Sequence, residues 1–164
     1  MDDVPARYRA PSEVERIVRI ADSFARLLGR PLVAGCEQED GAPAGDSDVV
    51  AALWRAPCVI VAHDVRADPV FFFGNRMALE RFECDVAAFT AMPSRLSAQA
   101  PLREERQALL DRVTRHGFID DYSGVRISAK GRRFRIEQAV VWNLIGPDGI
   151  VHGQAACFDR WMEM

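Results

Sequence analysis

The segment Arg133–Leu144, RFRIEQAVVWNL, alternates with period two. Phe134, Ile136, Gln138, Val140, Trp142 and Leu144 fall on one side, and Arg133, Arg135, Glu137 and Asn143 on the other. Successive side chains of a strand point to opposite faces, so this pattern requires a sheet with one buried face. The turn segments AKGR (Ala129–Arg132) and GPDG (Gly146–Gly149) flank it. Phe118–Trp161 therefore reads as three consecutive antiparallel strands. A single bulge flips the register, so the face that Gln138 and Gln154 each take stays open at this point.

The rest of the chain supplies a cover for that face. Val14, Ile17, Val18, Ala21, Phe24, Ala25 and Leu28 recur at helical spacing. Ser12 and Glu15 read as the capping box of that helix, and Gly29 with Pro31 as its stop. The polar N-terminus, MDDVPARYRAP, precedes it. Residues 35–47, acidic and Gly-rich, read as a loop, and Val49–Arg55 as a short helix. The apolar runs near 58–64 and 69–73 read as a hairpin, after which Asn75 caps a helix ending at Phe82. Asp85–Ala91 adds a short helix. Pro101 opens a longer one, with Glu104 and Glu105 in its first turn and Arg112, Arg115 and His116 in its last. Leu102, Leu109, Leu110 and Val113 form its apolar stripe, and Gly117 ends it. With three further strands near 122–128, 132–145 and 149–160, the expectation is one antiparallel sheet of five strands with helices on one face.

The 164 residues suit one folding unit, and their net charge of −3 offers no basic face for nucleic acid. The four cysteines, Cys36, Cys58, Cys84 and Cys157, are scattered without a C-x-x-C pair, so neither zinc nor a disulfide framework is indicated. No apolar run approaches the length of a membrane span, and the reading is a soluble cytoplasmic protein with no membrane partner.

Helix, hairpin, helices and closing meander form the layout of a PAS domain. The segment FFFGNRMALERF resembles the PAS strand that runs into an Asn-capped helix. More specifically, GFIDDYSGVRIS, GRRFRIEQAVVWNL and HGQAACFDRW resemble the MEKHLA domain, a PAS-related family, as do ALWRAP, VAHDVRADPVFFFGN and AMPSRLSAQ. The family occurs as small bacterial proteins and at the C-terminus of plant homeodomain–leucine zipper proteins. The stand-alone bacterial type is the nearer resemblance, and no homeodomain or zipper lies in this sequence to carry DNA binding over. The resemblance implies an α+β fold with strand order 2-1-5-4-3 and an extra N-terminal helix. It divides the chain into an N-terminal helix and loop at 1–48 and a PAS-like domain at 49–164.

The implied role is non-catalytic sensing of a small molecule, with output through a separate signalling protein or a second copy. The N-terminal helix is the expected homodimer element, its stripe being wide enough to cover its own sheet and meet a partner. Folding back entirely onto its own domain is the alternative. A ligand on the apolar sheet face would be lined by Phe72, Met92, Leu109, Gln138, Val140, Trp142 and Gln154. An amide buried without a partner costs about 1–3 kcal/mol, so Gln138 should bond Gln154 or a ligand. A second reading is an interaction module whose core is filled by Phe72, Phe134, Trp142 and Phe158. The third is a small enzyme using Asp120, Asp121 and Tyr122, which needs a bulge to bring adjacent acids together.

Flavin and haem are both bound by proteins of PAS type, and no motif supports either here. Ser94 and Arg95 stand where flavin photosensors carry Cys-Arg, and serine forms no thiolate adduct. His116 at a helix C-terminus reads as a dipole partner rather than an iron ligand. His63 and His152 lack a third ligand for a metal.

Overall fold

The computed structural model describes residues 4–33, 45–98 and 103–164. The loop read at 35–47 falls largely outside these residues, as do Pro101 and Leu102. The strands are β1 (Val59–His63), β2 (Phe71–Gly74), β3 (Phe118–Ile127), β4 (Arg133–Ile145), β5 (Val151–Phe158) and β6 (Trp161–Glu163). The helices are α1 (Ala6–Arg9), α2 (Pro11–Leu28), α3 (Asp46–Arg55), α4 (Arg76–Phe82), α5 (Val86–Phe89) and α6 (Arg103–His116). The sheet order is β2-β1-β5-β4-β3, every neighbour antiparallel. One strand was not expected: β6 leaves β5 after Phe158 and pairs with Phe134–Ile136 of β4. β3 also begins earlier than expected, because Phe118 and Ile119 pair with Trp142 and Val141 ahead of an irregularity at Ile119/Tyr122.

The middle strand does not keep one alternation. Gln138 has φ 52° and is exposed, with Oε1 accepting from Nη1 of Arg160 at 2.5 Å. A left-handed residue inside a strand turns the chain and shifts the side-chain sequence by one. Phe134 and Ile136 before it therefore share a core with Ala139 and Val141 after it. Val140, Trp142 and Leu144 pass to the other core. Asn143, expected on the polar face, is buried.

Each sheet face thus has its own apolar layer. The inner layer packs Phe71, Phe82, Phe89, Phe134 and Phe158 beneath α4, α5 and α6. The outer layer packs Trp142, Leu144, Ile60 and Phe72 beneath α1, α2 and α3. Ile17, Ile20, Ala21 and Phe24 of α2 are buried in this chain's own core, and none of its apolar residues is fully exposed. Phe24 meets Trp142 edge-on at 4.9 Å, and Trp142 Nε1–H donates to the Ile20 carbonyl at 3.1 Å. α2 thus covers the outer face of this chain's own sheet.

Two N-terminal details differ from the sequence reading. Proline, with no N–H to lose, takes the first turn of α2 at Pro11, so Ser12 lies inside the helix and caps nothing. Ahead of it, the segment read as polar forms α1, and Tyr8 is wholly buried. Its hydroxyl donates to the Gly74 carbonyl at 3.1 Å and accepts from the Gly74 N–H at 3.0 Å.

Asn75 ties both layers to the hairpin. Its Oδ1 accepts from the N–H groups of Ile60 (3.1 Å) and Ala78 (3.0 Å). Its Nδ2 donates to the carbonyls of Leu53 (3.1 Å) and Cys58 (2.8 Å). The expected cap of α4 is present, and the same amide also anchors β1 and α3.

Candidate functional site

A cavity of about 50 Å³ lies on the inner sheet face, between the strands and the α4–α6 side. Val61, Phe71, Ile136, Val141, Ala156 and Phe158 give it an apolar floor, and Phe82 and Leu109 border it from the helices. Its polar lining residues are His63, Ser97, Tyr122, Arg126 and Gln154.

The amide chain beside it has a defined polarity. The Val113 carbonyl can only accept, so Asn143 turns Nδ2 toward it at 3.0 Å. Asn143 then presents Oδ1, which accepts from Nε2 of Gln154 at 3.0 Å. Oε1 of Gln154 remains, buried and without a hydrogen-bond partner, on a side chain only 9% exposed. Such an orphaned acceptor costs about 1–3 kcal/mol unless something donates to it. Arg126 is the charged residue of the lining. Its Nη2 donates to the Tyr122 hydroxyl at 3.1 Å, and its guanidinium lies 5.5 Å from the centre of that ring. Among the described residues no carboxylate pairs with it.

The residues expected to line one pocket are distributed over two layers. Leu109 and Gln154 border the cavity, and Met92 packs against the same inner core. Phe72, Val140 and Trp142 belong to the outer layer instead. Gln138 is exposed at the bulge, bonded to Arg160 and not to Gln154. For Val140 and Trp142 the physical reason is the one-residue shift at Gln138, which exchanges the faces of the β4 residues after it. Asn143 and Arg126 carry polarity that the sequence reading did not assign to the site. A signal was present: Ala139, Val140, Val141 and Trp142 are four consecutive apolar residues, which a strand with one buried face does not show.

The other singled-out residues are dispersed. Asp120 and Asp121 are exposed on β3, while Tyr122 is buried at the cavity. His116 is exposed at the end of α6. His63 borders the inner cavity, whereas His152 lies by Arg16 and Phe72 on the outer side, with Nε2 at 3.5 Å from Asp148. Among the described residues no group of three metal-ligating side chains forms. Ser94 is wholly buried on a 3-10 turn, Ser94–Ser97. Sites for cofactor-sized molecules run to about 300–1,000 Å³, so a cavity of about 50 Å³ does not fit an intact flavin or haem in this conformation. Among the described residues no helix is long and apolar enough to cross a membrane.

Solved structures place the fold. A PAS domain from Colwellia psychrerythraea superposes with a TM-score of 0.58 at 12% identity, covering 69% of this chain and 91% of that one. A structure from a flavin-analogue study of a light-oxygen-voltage domain gives 0.51 at 16% identity, covering 71% and 84%. At such identities the likeness concerns the fold, which is PAS-like. Among curated sequences, homeobox-leucine zipper protein HOX10 of Oryza sativa subsp. indica is 28% identical over 142 residues, 87% of this chain. Homeobox-leucine zipper protein HOX32 of the same subspecies is 30% identical over 114 residues, 67% of this chain. The chain spans only 16% and 13% of those two proteins. The model of the MEKHLA domain matches residues 14–163, from the second turn of α2 to the last residues of β6, and the chain belongs to the MEKHLA domain family.

Proposed function

We propose that this chain is a non-catalytic sensory domain. In this reading it binds a small molecule on the inner sheet face and passes its state to a separate protein or a second copy. The observation that carries the reading is Oε1 of Gln154, a buried acceptor without a donor beside an apolar cavity. The ligand class follows from the lining. It is small and largely apolar, carries an N–H or O–H for Gln154, and has an anionic group for Arg126. A short-chain or aromatic carboxylic acid with a second donor meets these needs. Sensing, rather than turnover, is favoured because Asp120 and Asp121 face solvent while Tyr122 borders the cavity, so the three residues of the enzyme reading do not converge.

The small volume favours one rival, an interaction module with a filled core. Native mass spectrometry of freshly purified protein, followed by thermal-shift screening with hydroxylated and amino carboxylic acids, separates the two. Sensing requires a bound mass or a stabilising acid whose affinity falls about tenfold in Gln154→Leu, the worth of one hydrogen bond. A clean apo mass from several hosts together with no stabilising acid rejects it in favour of the interaction module.

A further inference from the structure

Cys58 and Cys157 lie 99 positions apart in the chain, yet the fold brings their sulfurs to 3.3 Å. Cys58 sits just before β1 and Cys157 in β5, whose register pairs Ile60 with Cys157. Both side chains face the outer layer and are half-buried. Cys58 also borders a surface cleft of about 470 Å³, with Arg55 and Asp159 on the same rim. A disulfide requires about 2.05 Å between sulfurs, so closure needs a shift of little more than an ångström. From this geometry we infer that Cys58 and Cys157 form an oxidation site: a dithiol that a hydroperoxide entering the cleft converts to a disulfide joining β1 to β5.

The chemistry assigns the two sulfurs different roles. The Cys157 thiol donates to the Cys58 sulfur. That hydrogen bond favours the Cys58 thiolate and holds Cys58 below the usual thiol range, while Cys157, holding the shared proton, lies well above it. The Cys58 thiolate attacks the terminal peroxide oxygen. An S–O bond forms, the O–O bond breaks, and the alkoxide or hydroxide leaves with the electron pair. Cys58 is now a sulfenic acid, oxidised by two electrons, and the peroxide is reduced. The leaving base takes the Cys157 proton. The Cys157 sulfur then displaces the sulfenic hydroxyl, which departs as water after taking a proton from solvent. The net change is two thiols and one hydroperoxide to one disulfide, one alcohol or water, and one water.

The disulfide has a route to the rest of the domain. The Cys58 carbonyl accepts from Asn75, whose other bonds reach Ile60, Leu53 and the first turn of α4. Cross-linking at Cys58 thus holds the amide that joins both layers.

The test uses the full chain and hydrogen peroxide. After a near-stoichiometric pulse, alkylation and a non-reducing peptide map, the chain should lose two of its four thiols. The intact mass should fall by two hydrogens, and the Cys58 and Cys157 peptides should appear linked, all restored by dithiothreitol. This result needs no variant. The chain with Cys36→Ser and Cys84→Ser should lose both remaining thiols at the same rate. In Cys157→Ser, Cys58 should stop as a sulfenic acid trapped by a cyclic diketone. A map in which Cys58 and Cys157 remain fully alkylated, or in which the link joins Cys36 or Cys84 instead, overturns the inference.

Discussion

Nε2 of Gln154 donates to Oδ1 of Asn143 across 3.0 Å, and this one contact joins β5 to β4 on the inner face while leaving Oε1 of Gln154 bare. Replacing Gln154 with Leu removes the orphaned acceptor but strands Oδ1 of Asn143. The two terms, each about 1–3 kcal/mol, oppose each other, so stability should change by less than about 1.5 kcal/mol. Urea unfolding checks this. Gln138→Leu, by contrast, should leave ligand affinity unchanged, because Gln138 is exposed and outside the cavity lining.

Gln138 sustains φ 52° within β4. A β-branched residue resists that conformation more than glutamine does, whereas glycine adopts it freely. Gln138→Val should destabilise by about 1–3 kcal/mol, and Gln138→Gly by less than about 1 kcal/mol. Equal losses in denaturant unfolding would mean that the bulge follows from its neighbours rather than from this residue.

Tyr8 gives the domain an alkaline limit. Burial pushes its hydroxyl from 10.0 up to about 12, partly offset by the bond to Gly74 and by Arg7. Between those values the folded chain keeps a proton that the unfolded chain releases, so stability falls as pH rises through this window. At about 1.4 kcal/mol per pH unit, the loss approaches roughly 3 kcal/mol by pH 12. The difference between wild type and Tyr8→Phe, followed by urea unfolding at pH 9 and above 11, should show this slope only in the wild type. Below pH 10 the variant should still be weaker by about 1–3 kcal/mol, because both Gly74 backbone groups lose their buried partner.

Removing residues 1–30 should yield an aggregating or unfolded chain. It would expose Trp142, Leu144 and Ile60, which α1 and α2 cover. Light scattering and circular dichroism check this. A soluble, folded monomer would instead assign α2 to contacts between copies.

Asn75→Ala removes four hydrogen bonds at once. The expected loss is at least about 3 kcal/mol, well beyond the roughly 1 kcal/mol of a simple helix cap. A loss near 1 kcal/mol in chemical denaturation would show that only the cap matters.

Local sequence determined much of this protein. The turns at AKGR and GPDG and the caps at Asn75 and Gly29 depend on neighbouring residues alone, and they fell where expected. The family resemblance then supplied the strand order that β1 to β5 adopt. The site was less legible, because it depends on which face each residue takes. One left-handed residue, Gln138, moved Asn143 inward and Val140 and Trp142 outward. Nothing local marks a glutamine for that conformation; the bulge is held where β5 breaks before β6 and Arg160 reaches back to Gln138. Tyr8 was hidden for a related reason. Its partner, Gly74, lies 66 positions away, and a short polar-looking segment gains its burial only when β2 is in place. The Cys58–Cys157 contact is the furthest case. Two cysteines 99 positions apart carry no spacing signal, and only the antiparallel pairing of β1 with β5 brings their sulfurs together.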